Sequence, residues 1–406
     1  MNKYFHLGEV DPWELMNVLL HHFSHATSPS PFITKYQAKD SPHYLEVTSN
    51  ESGRIEKIQL SDGFPKEQLE QLEQRIKDAL LTTDQQVGAD VLFCRERVAG
   101  HLRYKDLFQV TPVPNGAPLP EVGFRDYPFL LQFKYTKSSD GMIDYSRRRE
   151  KAIIYTRLLN LLLNQRVRLL RNNAQAYWTL NVSEPPAKMS SSYRQEGYTF
   201  EGLSLIPKDF TDTSDIDEIE TVPFQKYYTS KGVTSDPLKI PDNIEHSLDR
   251  IFSLSLQDYD RLSRACTWYE KGQLIWEESA SASFVAMVSA IESLIGEKTP
   301  CKRCGQDVPE SLLICEECKQ PRYQSTKNFK EFITKYVSDL GSMPKEAALL
   351  YTIRSSLAHG AKLLQQDLRP WSFMNPAHQN ESQIQGNLFH ITGIAIYNWL
   401  WSRKIS

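Results

Sequence analysis

The sequence predicts an α+β N-terminal domain followed by an all-α helical bundle that carries a small four-cysteine insertion. Three observations support this prediction. Short apolar runs separated by turn residues dominate the first half, as in sheet-containing domains. From Asp242 almost to the end, apolar residues recur at helical spacing. Two Cys-x2-Cys pairs stand between two of those helices. A length of 406 residues allows a domain at 1–210, a linker at 211–241 and a second domain at 242–406.

Local patterns define the elements of the first half. The segment 112–128 is rich in proline and glycine and predicts a connection. Helices are predicted at 10–25, 65–80 and 145–171. Strands are predicted at 43–48, 54–60, 89–96, 101–110, 129–135, 176–181 and 198–206.

The predicted helix at 145–171 is the most basic element. Two interpretations are open: a solvated basic face over a leucine core, or a surface that binds a phosphate-bearing partner. The acidic run at 212–220 predicts an exposed linker, or a segment that masks the basic helix. The basic residues of this helix are Arg147, Arg148, Arg149, Lys151, Arg157, Arg166, Arg168 and Arg171.

The second half predicts six helices joined by short loops, each with one apolar face, which favours a bundle. They are expected at 242–253, 256–271, 273–296, 326–340, 344–365 and 383–403.

The four clustered cysteines predict a metal site. Two Cys-x2-Cys pairs match the tetrahedral thiolate coordination that Zn²⁺ prefers, and four protein ligands leave no open position, so the ion is structural. A zinc ribbon is therefore predicted at 299–321. Cys94 and Cys266 stand alone, as in a reducing compartment. The predicted ligands are Cys301, Cys304, Cys315 and Cys318.

One predicted helix combines an apolar stripe with a polar arc that holds Arg354 and His359. Five residues separate them, which places them about 140° apart around the axis. They bracket the small residues Ser355 and Ala358, where a phosphate or a second helix could approach closely. Tyr351 and Lys362 lie on the same predicted arc.

These residues resemble a known family. The segment Leu350 to Gly360, with Arg-x4-His inside it, follows the earlier helical segment Ser289 to Ile295, which contains Glu292. Both segments, in this order near the C-terminus, resemble the Apea-like branch of the HEPN superfamily over about 240–406. The resemblance implies an HEPN helical bundle, a homodimer with one composite cleft, and metal-independent RNA endonuclease activity.

The resemblance also implies roles for individual residues. Arg354 would bind phosphate and His359 would act as general base or acid. Ser355 would bind the phosphate or orient His359, and Glu292 would orient Arg354. Tyr351 and Lys362 would contact nucleic acid; their support comes from the helical arc alone.

Each role has a structural alternative. Arg354 and Glu292 could form a purely structural pair between helices. His359 beside Gly360 could simply cap the C-terminus of its helix. The zinc ribbon could brace a dimer, contact RNA through Lys302 and Arg303, or tie a loop. The whole chain could be a non-catalytic HEPN module that binds nucleic acid or protein, or a zinc-ribbon adaptor.

Bulk properties set the remaining expectations. A net charge of −3 gives no general attraction to nucleic acid, so contact with RNA (tRNA included) must be local. No apolar run reaches membrane-spanning length, and the N-terminus lacks a signal-peptide pattern, which predicts a cytoplasmic protein that does not enter membranes. Members of the family that the chain resembles commonly serve in bacterial anti-phage defence or as toxins. By that resemblance, the N-terminal domain would be the sensor of a ligand or phage-derived trigger, or the restraint on the nuclease.

Overall fold

The computed structural model of the chain describes most of its residues. These are residues 11–39, 41–51, 53–120, 126–169, 176–180, 191–195, 198–229, 237–295, 298–300, 307–309, 319, 325–337, 343–371 and 374–404.

The chain begins with a helix, a four-stranded antiparallel meander and a second helix. Asp11 caps the first helix, because its carboxylate accepts the backbone N–H groups of Trp13 and Glu14. The strands follow each other in sequence order. The elements are α1 (Pro12–Phe23), β1 (Ala26–Ser30), β2 (Ile33–Gln37), β3 (Tyr44–Ser49), β4 (Ile55–Leu60) and α2 (Lys66–Leu80).

A five-stranded sheet and a long helix follow. The sheet order is β6-β7-β8-β5-β9, and the β5–β9 and β6–β7 pairs are antiparallel. The elements are β5 (Gln85–Cys94), β6 (Leu102–Tyr104), β7 (Phe108–Pro112), β8 (Tyr127–Thr136), α3 (Gly141–Leu162) and β9 (Val167–Leu169).

Short elements connect these to the helical part. β10 pairs with β11, and β12 pairs in parallel with β13. The elements are β10 (Ala176–Leu180), β11 (Ser191–Gln195), β12 (Thr221–Val222), α4 (Phe224–Thr229) and β13 (Ile240–Pro241).

The last part of the chain is mainly helical. Its elements are α5 (Ile244–Phe252), α6 (Leu256–Ile275), α7 (Ala280–Glu292), β14 (Lys298–Pro300), β15 (Asp307–Pro309), α8 (Ser325–Tyr336), α9 (Met343–Ala358), α10 (Gln365–Leu368) and α11 (Pro376–Ser402).

The chain forms two compact units. The first comprises Met1–Ala89, Gln132–Ala152 and Ser204–Thr211, and the second comprises Asp90–Leu131, Ile153–Leu203 and Asp212–Ser406. The core of the first unit is formed by apolar residues of α1, α2 and the meander, together with Ile143. The helices of the second unit bury large side chains such as Phe284, Phe329 and Trp399. The predicted division into 1–210, 211–241 and 242–406 stays a prediction.

The predicted combination of sheets and helices, with a helical C-terminal part, is confirmed. Most individual helices and the strands at β3, β4 and β8 lie close to their predicted positions. The strand predicted at 198–206 is wrong, because these residues form turns and irregular backbone. The strand predicted at 101–110 is two strands, β6 and β7, joined by a tight turn in which Lys105 has a positive φ of 48°. The strands β1, β2 and β11 were not predicted.

The basic helix is shorter than predicted. The sequence predicts a helix that reaches Arg171, but α3 ends at Leu162 and the chain enters β9. Asn164 takes the left-handed conformation, with φ 46°. The Asn160 side chain then accepts the N–H of Val167 at 2.9 Å and donates to its carbonyl at 2.7 Å. The Asn160 side chain thus bonds the backbone of Val167 as a neighbouring strand would. The helix ends at Leu162, although the leucine pattern continues through Leu163.

Among the described helices, none has the length and apolar character needed to cross a lipid bilayer.

Candidate functional site

The candidate site lies in the second unit, on three helices. Glu292 is the last residue of α7, Arg354 lies in the second half of α9, and α8 contributes Phe329. The segments that form α7 and α9 are far apart in sequence, and packing of the helices brings Glu292 and Arg354 together.

Arg354 and Glu292 form an ion pair. Nη2 of Arg354 donates to Oε2 of Glu292 at 2.7 Å, and 24% of each side chain is exposed to solvent. A pair of this intermediate exposure contributes on the order of 1 kcal/mol, between the values of surface and buried pairs. Both groups keep access to water, so a solvent-borne anion can reach the guanidinium.

Tyr351 lies beneath the same guanidinium. The ring centroid is 5.8 Å from Cζ of Arg354, within the range of cation–π attraction. The ring of Phe329 lies behind it, with the centroids 5.4 Å apart and the planes inclined at 49°. Tyr351 is only 6% exposed and Phe329 is fully buried. The ring of Tyr351 therefore offers no open face within this subunit on which a base could stack.

One donor of Arg354 has no acceptor in the described part of the chain. Nε is buried, and no described atom accepts its hydrogen bond. Burial of such a donor without a partner costs about 1–3 kcal/mol, which makes it uncommon in folded proteins.

His359 ends α9. Gly360 has a left-handed backbone with φ 68°. Its N–H donates to the carbonyl of Leu357 at 3.0 Å, and the N–H of Ala361 donates to the carbonyl of Ser356 at 2.9 Å. These two bonds form a Schellman motif, so His359 is the C-cap residue. Its side chain is exposed. His359 is therefore both the end of the helix and an imidazole open to solvent.

Lys362 does not lie on the helix. The prediction extended the helix to 365 because Leu364 continues the apolar period, but the positive φ of Gly360 ends it at Ala358. Lys362 is exposed in the connection that follows. Ser355 is half-buried on α9, and its carbonyl accepts the backbone N–H of His359 at 3.1 Å. Arg354 and Ser355 thus lie on α9 and His359 caps its C-terminus, whereas Lys362 lies beyond the helix.

The segment after His359 is fixed to the N-terminus of α7 by Asp367. Its two carboxylate oxygens accept the N–H groups of Ala280 at 2.7 Å and Ser281 at 2.9 Å, and the hydroxyl of Ser279 at 3.0 Å. Burial by itself would raise the pKa of Asp367, but these hydrogen bonds outweigh it and hold the pKa below its usual range. Sequence reasoning missed this residue, since nothing in its neighbourhood marks it as the cap of a distant helix.

The predicted zinc ligands Cys301, Cys304, Cys315 and Cys318 lie outside the described residues. Within the part of the chain that the structure does describe, no group of three or more His, Cys, Asp or Glu side chains could hold a metal ion. Burial raises the pKa of both Cys94 and Cys266 to about 12, so these two thiols stay protonated and unreactive at neutral pH.

Five arginines of α3, of β9 and of the turn between them have structural partners. In the first unit, Arg147 forms a two-bond pair with Glu14, and the buried Arg148 donates to the Ala89 carbonyl. In the second unit, Arg157 pairs with the buried Glu270. Two further pairs are Arg166 with Glu277 and Arg168 with Asp126. Arg171 lies outside the described residues.

No family model matches the chain, and neither the curated proteins nor the solved structures yield a match.

Proposed function

We propose that this chain is a metal-independent RNA endonuclease of the HEPN type, in which two copies contribute Arg354 and His359 to one composite site. The observation that supports this proposal most directly is the state of Arg354. It is held by Glu292 and Tyr351, remains partly exposed, and keeps donors that no described residue uses.

RNA supplies its own nucleophile, the 2′-hydroxyl beside each phosphate. Internal attack requires a base for that hydroxyl, an acid for the 5′-oxygen that leaves, and positive charge on the phosphate. An exposed imidazole provides proton transfer near neutral pH, and a guanidinium can bond two phosphate oxygens at once. The products are a 2′,3′-cyclic phosphate and a 5′-hydroxyl. DNA lacks the nucleophile and is not cleaved.

The decisive experiment measures RNA cleavage by the full chain in EDTA, with tRNA and total RNA as substrates. We expect cleavage by the wild type and a loss of about 10²-fold to 10⁴-fold in rate for His359→Ala and for Arg354→Ala. His246→Ala and Arg264→Ala are matched controls, because both side chains are exposed on other helices, α5 and α6. Intact RNA with every preparation, or equal cleavage by His359→Ala and wild type, contradicts the proposal.

A non-catalytic module is the second candidate, and two observations favour it. Glu292 accounts for one donor of Arg354, and the Schellman motif gives His359 a place in the helix end that needs no chemistry. Such a module would bind RNA, with Arg354→Ala weakening the complex, while His359→Ala would leave binding and RNA integrity unchanged. Binding and cleavage measured on the same RNA separate the two candidates.

The biological role proposed with this activity is anti-phage defence or toxicity to the host cell, with the first half of the chain as sensor of a ligand or phage-derived trigger. The basic segment gives little support for an anion-binding sensor. Carboxylates or a backbone carbonyl already bind Arg147, Arg148, Arg157, Arg166 and Arg168. Growth of cells that express the wild type or His359→Ala tests the role: arrest with the wild type alone is expected, and equal growth contradicts it.

We also propose that Cys301, Cys304, Cys315 and Cys318 bind one structural Zn²⁺. The chain contains six cysteines, and burial already protects Cys94 and Cys266. Native protein should therefore resist thiol labelling. A strong chelator at neutral pH should expose four thiols, and denaturant should expose all six. Labelling of the four without a chelator, together with no zinc by elemental analysis, contradicts this site.

A further inference from the structure

We propose that Tyr351 and Phe329 are positioning residues that aim the Arg354 guanidinium at an RNA phosphate. This inference rests on the proposed function. It replaces the role that sequence suggested for Tyr351, direct contact with nucleic acid, since the ring is buried.

The position of Tyr351 follows from helix geometry. It precedes Arg354 by three residues, so the two side chains lie on adjacent turns of the same face of α9. The phenol ring is thus available to the guanidinium without any contribution from loops. Phe329 of α8 then fixes the ring itself, because two packed aromatic rings in a buried position leave little room for a change of rotamer.

Two contacts of different kinds hold the guanidinium. Glu292 bonds Nη2 and cancels part of the positive charge, whereas the face of an aromatic ring attracts a cation and leaves its charge intact. Tyr351 therefore restricts Arg354 without reducing its attraction for a phosphate. A carboxylate alone would also hold the guanidinium, but it would reduce the attraction of Arg354 for a phosphate.

The orientation determines which donors remain. A guanidinium has five N–H groups. Within the described residues, Glu292 uses one on Nη2, and the one on Nε is buried. No described residue accepts from either donor of Nη1 or from the second donor of Nη2. Donors on these two nitrogens suit two oxygens of one phosphate. A side chain that is already held in this orientation loses less freedom when the phosphate binds.

Binding of a probe that cannot be cleaved tests the inference. The probe is a fluorescein-labelled single-stranded RNA with 2′-O-methyl groups throughout, titrated in EDTA at several salt concentrations. For Tyr351→Leu and Phe329→Leu we expect affinity to fall about two- to fivefold. The slope of log K against log salt should also decrease by up to about 0.7, the value for one lost phosphate contact. Tyr351→Phe keeps the ring and should restore both quantities.

Phe332→Leu is the matched control. Phe332 lies on the same helix α8, is 8% exposed, and packs on Tyr336 instead of Tyr351. Its replacement should lower stability in the same way as Phe329→Leu, with no change in affinity or salt slope. A purely structural role for Phe329 predicts that both variants behave alike.

The outcomes distinguish this inference from the proposed function. If wild type neither binds nor cleaves RNA, both fail. Suppose that wild type cleaves and that Arg354→Ala slows cleavage as expected. If Tyr351→Leu then binds the probe with wild-type affinity and salt slope, the positioning role alone is overturned. Equal losses for Tyr351→Phe and Tyr351→Leu would also overturn it, because the hydroxyl and not the ring would then be responsible.

Discussion

Arg157 on α3 and Arg354 on α9 each pair with a glutamate, yet the two sites differ in exposure. Nε of Arg157 lies 3.0 Å from Oε2 of Glu270, whose side chain is only 7% exposed. Arg354 lies 2.7 Å from Glu292, and both side chains are 24% exposed. The first arginine neutralises a carboxylate that water can scarcely reach, whereas the second belongs to a pair that remains open to solvent.

The difference shows that the number of arginines in a segment does not locate an anion site. The 145–171 segment contains more basic residues than any other, but the packed structure gives most of them acidic or carbonyl partners. Arg354 is a single arginine in an ordinary helix, and its remaining donors make it the better candidate. An arginine can bind a phosphate only with donors that the fold has left unused.

The largest expected effect is on stability, for Arg157→Ala. Removal of this arginine leaves Glu270 buried without its partner, which should lower the free energy of unfolding by about 3–5 kcal/mol. Urea denaturation measures this loss. RNA cleavage at a temperature where the variant is folded should be unchanged. Arg354→Ala should give the reverse pattern: a loss of about 1 kcal/mol in the free energy of unfolding and cleavage that is about 10²-fold to 10⁴-fold slower. A loss of about 1 kcal/mol or less for Arg157→Ala would contradict the comparison, because the two ion pairs would then contribute equally to stability.

Glu292→Gln should have an intermediate effect. The variant keeps an oxygen acceptor for Arg354 but removes the negative charge that competes with phosphate. We expect affinity for the 2′-O-methyl RNA probe to rise up to about fivefold, the equivalent of roughly 1 kcal/mol. Cleavage should slow, because the guanidinium is held less firmly. Reduced affinity would mean that Glu292 supports RNA binding and does not oppose it.

Asp367→Asn should have the smallest effect, about 0.3–1 kcal/mol, because asparagine still caps a helix and only the charge is lost. The pKa of Asp367 is lowered in the folded chain. Its charge therefore contributes stability above the unfolded pKa, near 3.9, and that contribution disappears as pH falls through the lowered folded value. Wild type should exceed the variant in stability at pH 6, and this difference should shrink as the pH falls below the unfolded pKa. A constant difference across this range would contradict the assignment.

Sequence reasoning predicted the elements whose patterns are strong and local. The apolar spacing of α2 and the alternation in β3 and β4 predicted these elements closely. It failed where a single residue overrides a continuing pattern. Asn160 and Asn164 end α3 while leucines continue, and Gly360 ends α9 although Leu364 fits the same stripe. A residue with positive φ stops a helix whatever the hydrophobic period that follows.

The sequence by itself determined which residues of the candidate site have useful chemistry, and placed Tyr351, Arg354 and Ser355 on one helix, because helical neighbours are set by spacing along the chain. Only the tertiary structure decided which partners those groups have and how far they are buried. The partner of Arg354 comes from 62 residues away, and Phe329, which fixes Tyr351, comes from another helix. Burial and hydrogen-bond satisfaction depend on such distant neighbours. No local pattern could therefore show that Tyr351 is enclosed while Arg354 keeps donors that no described residue accepts.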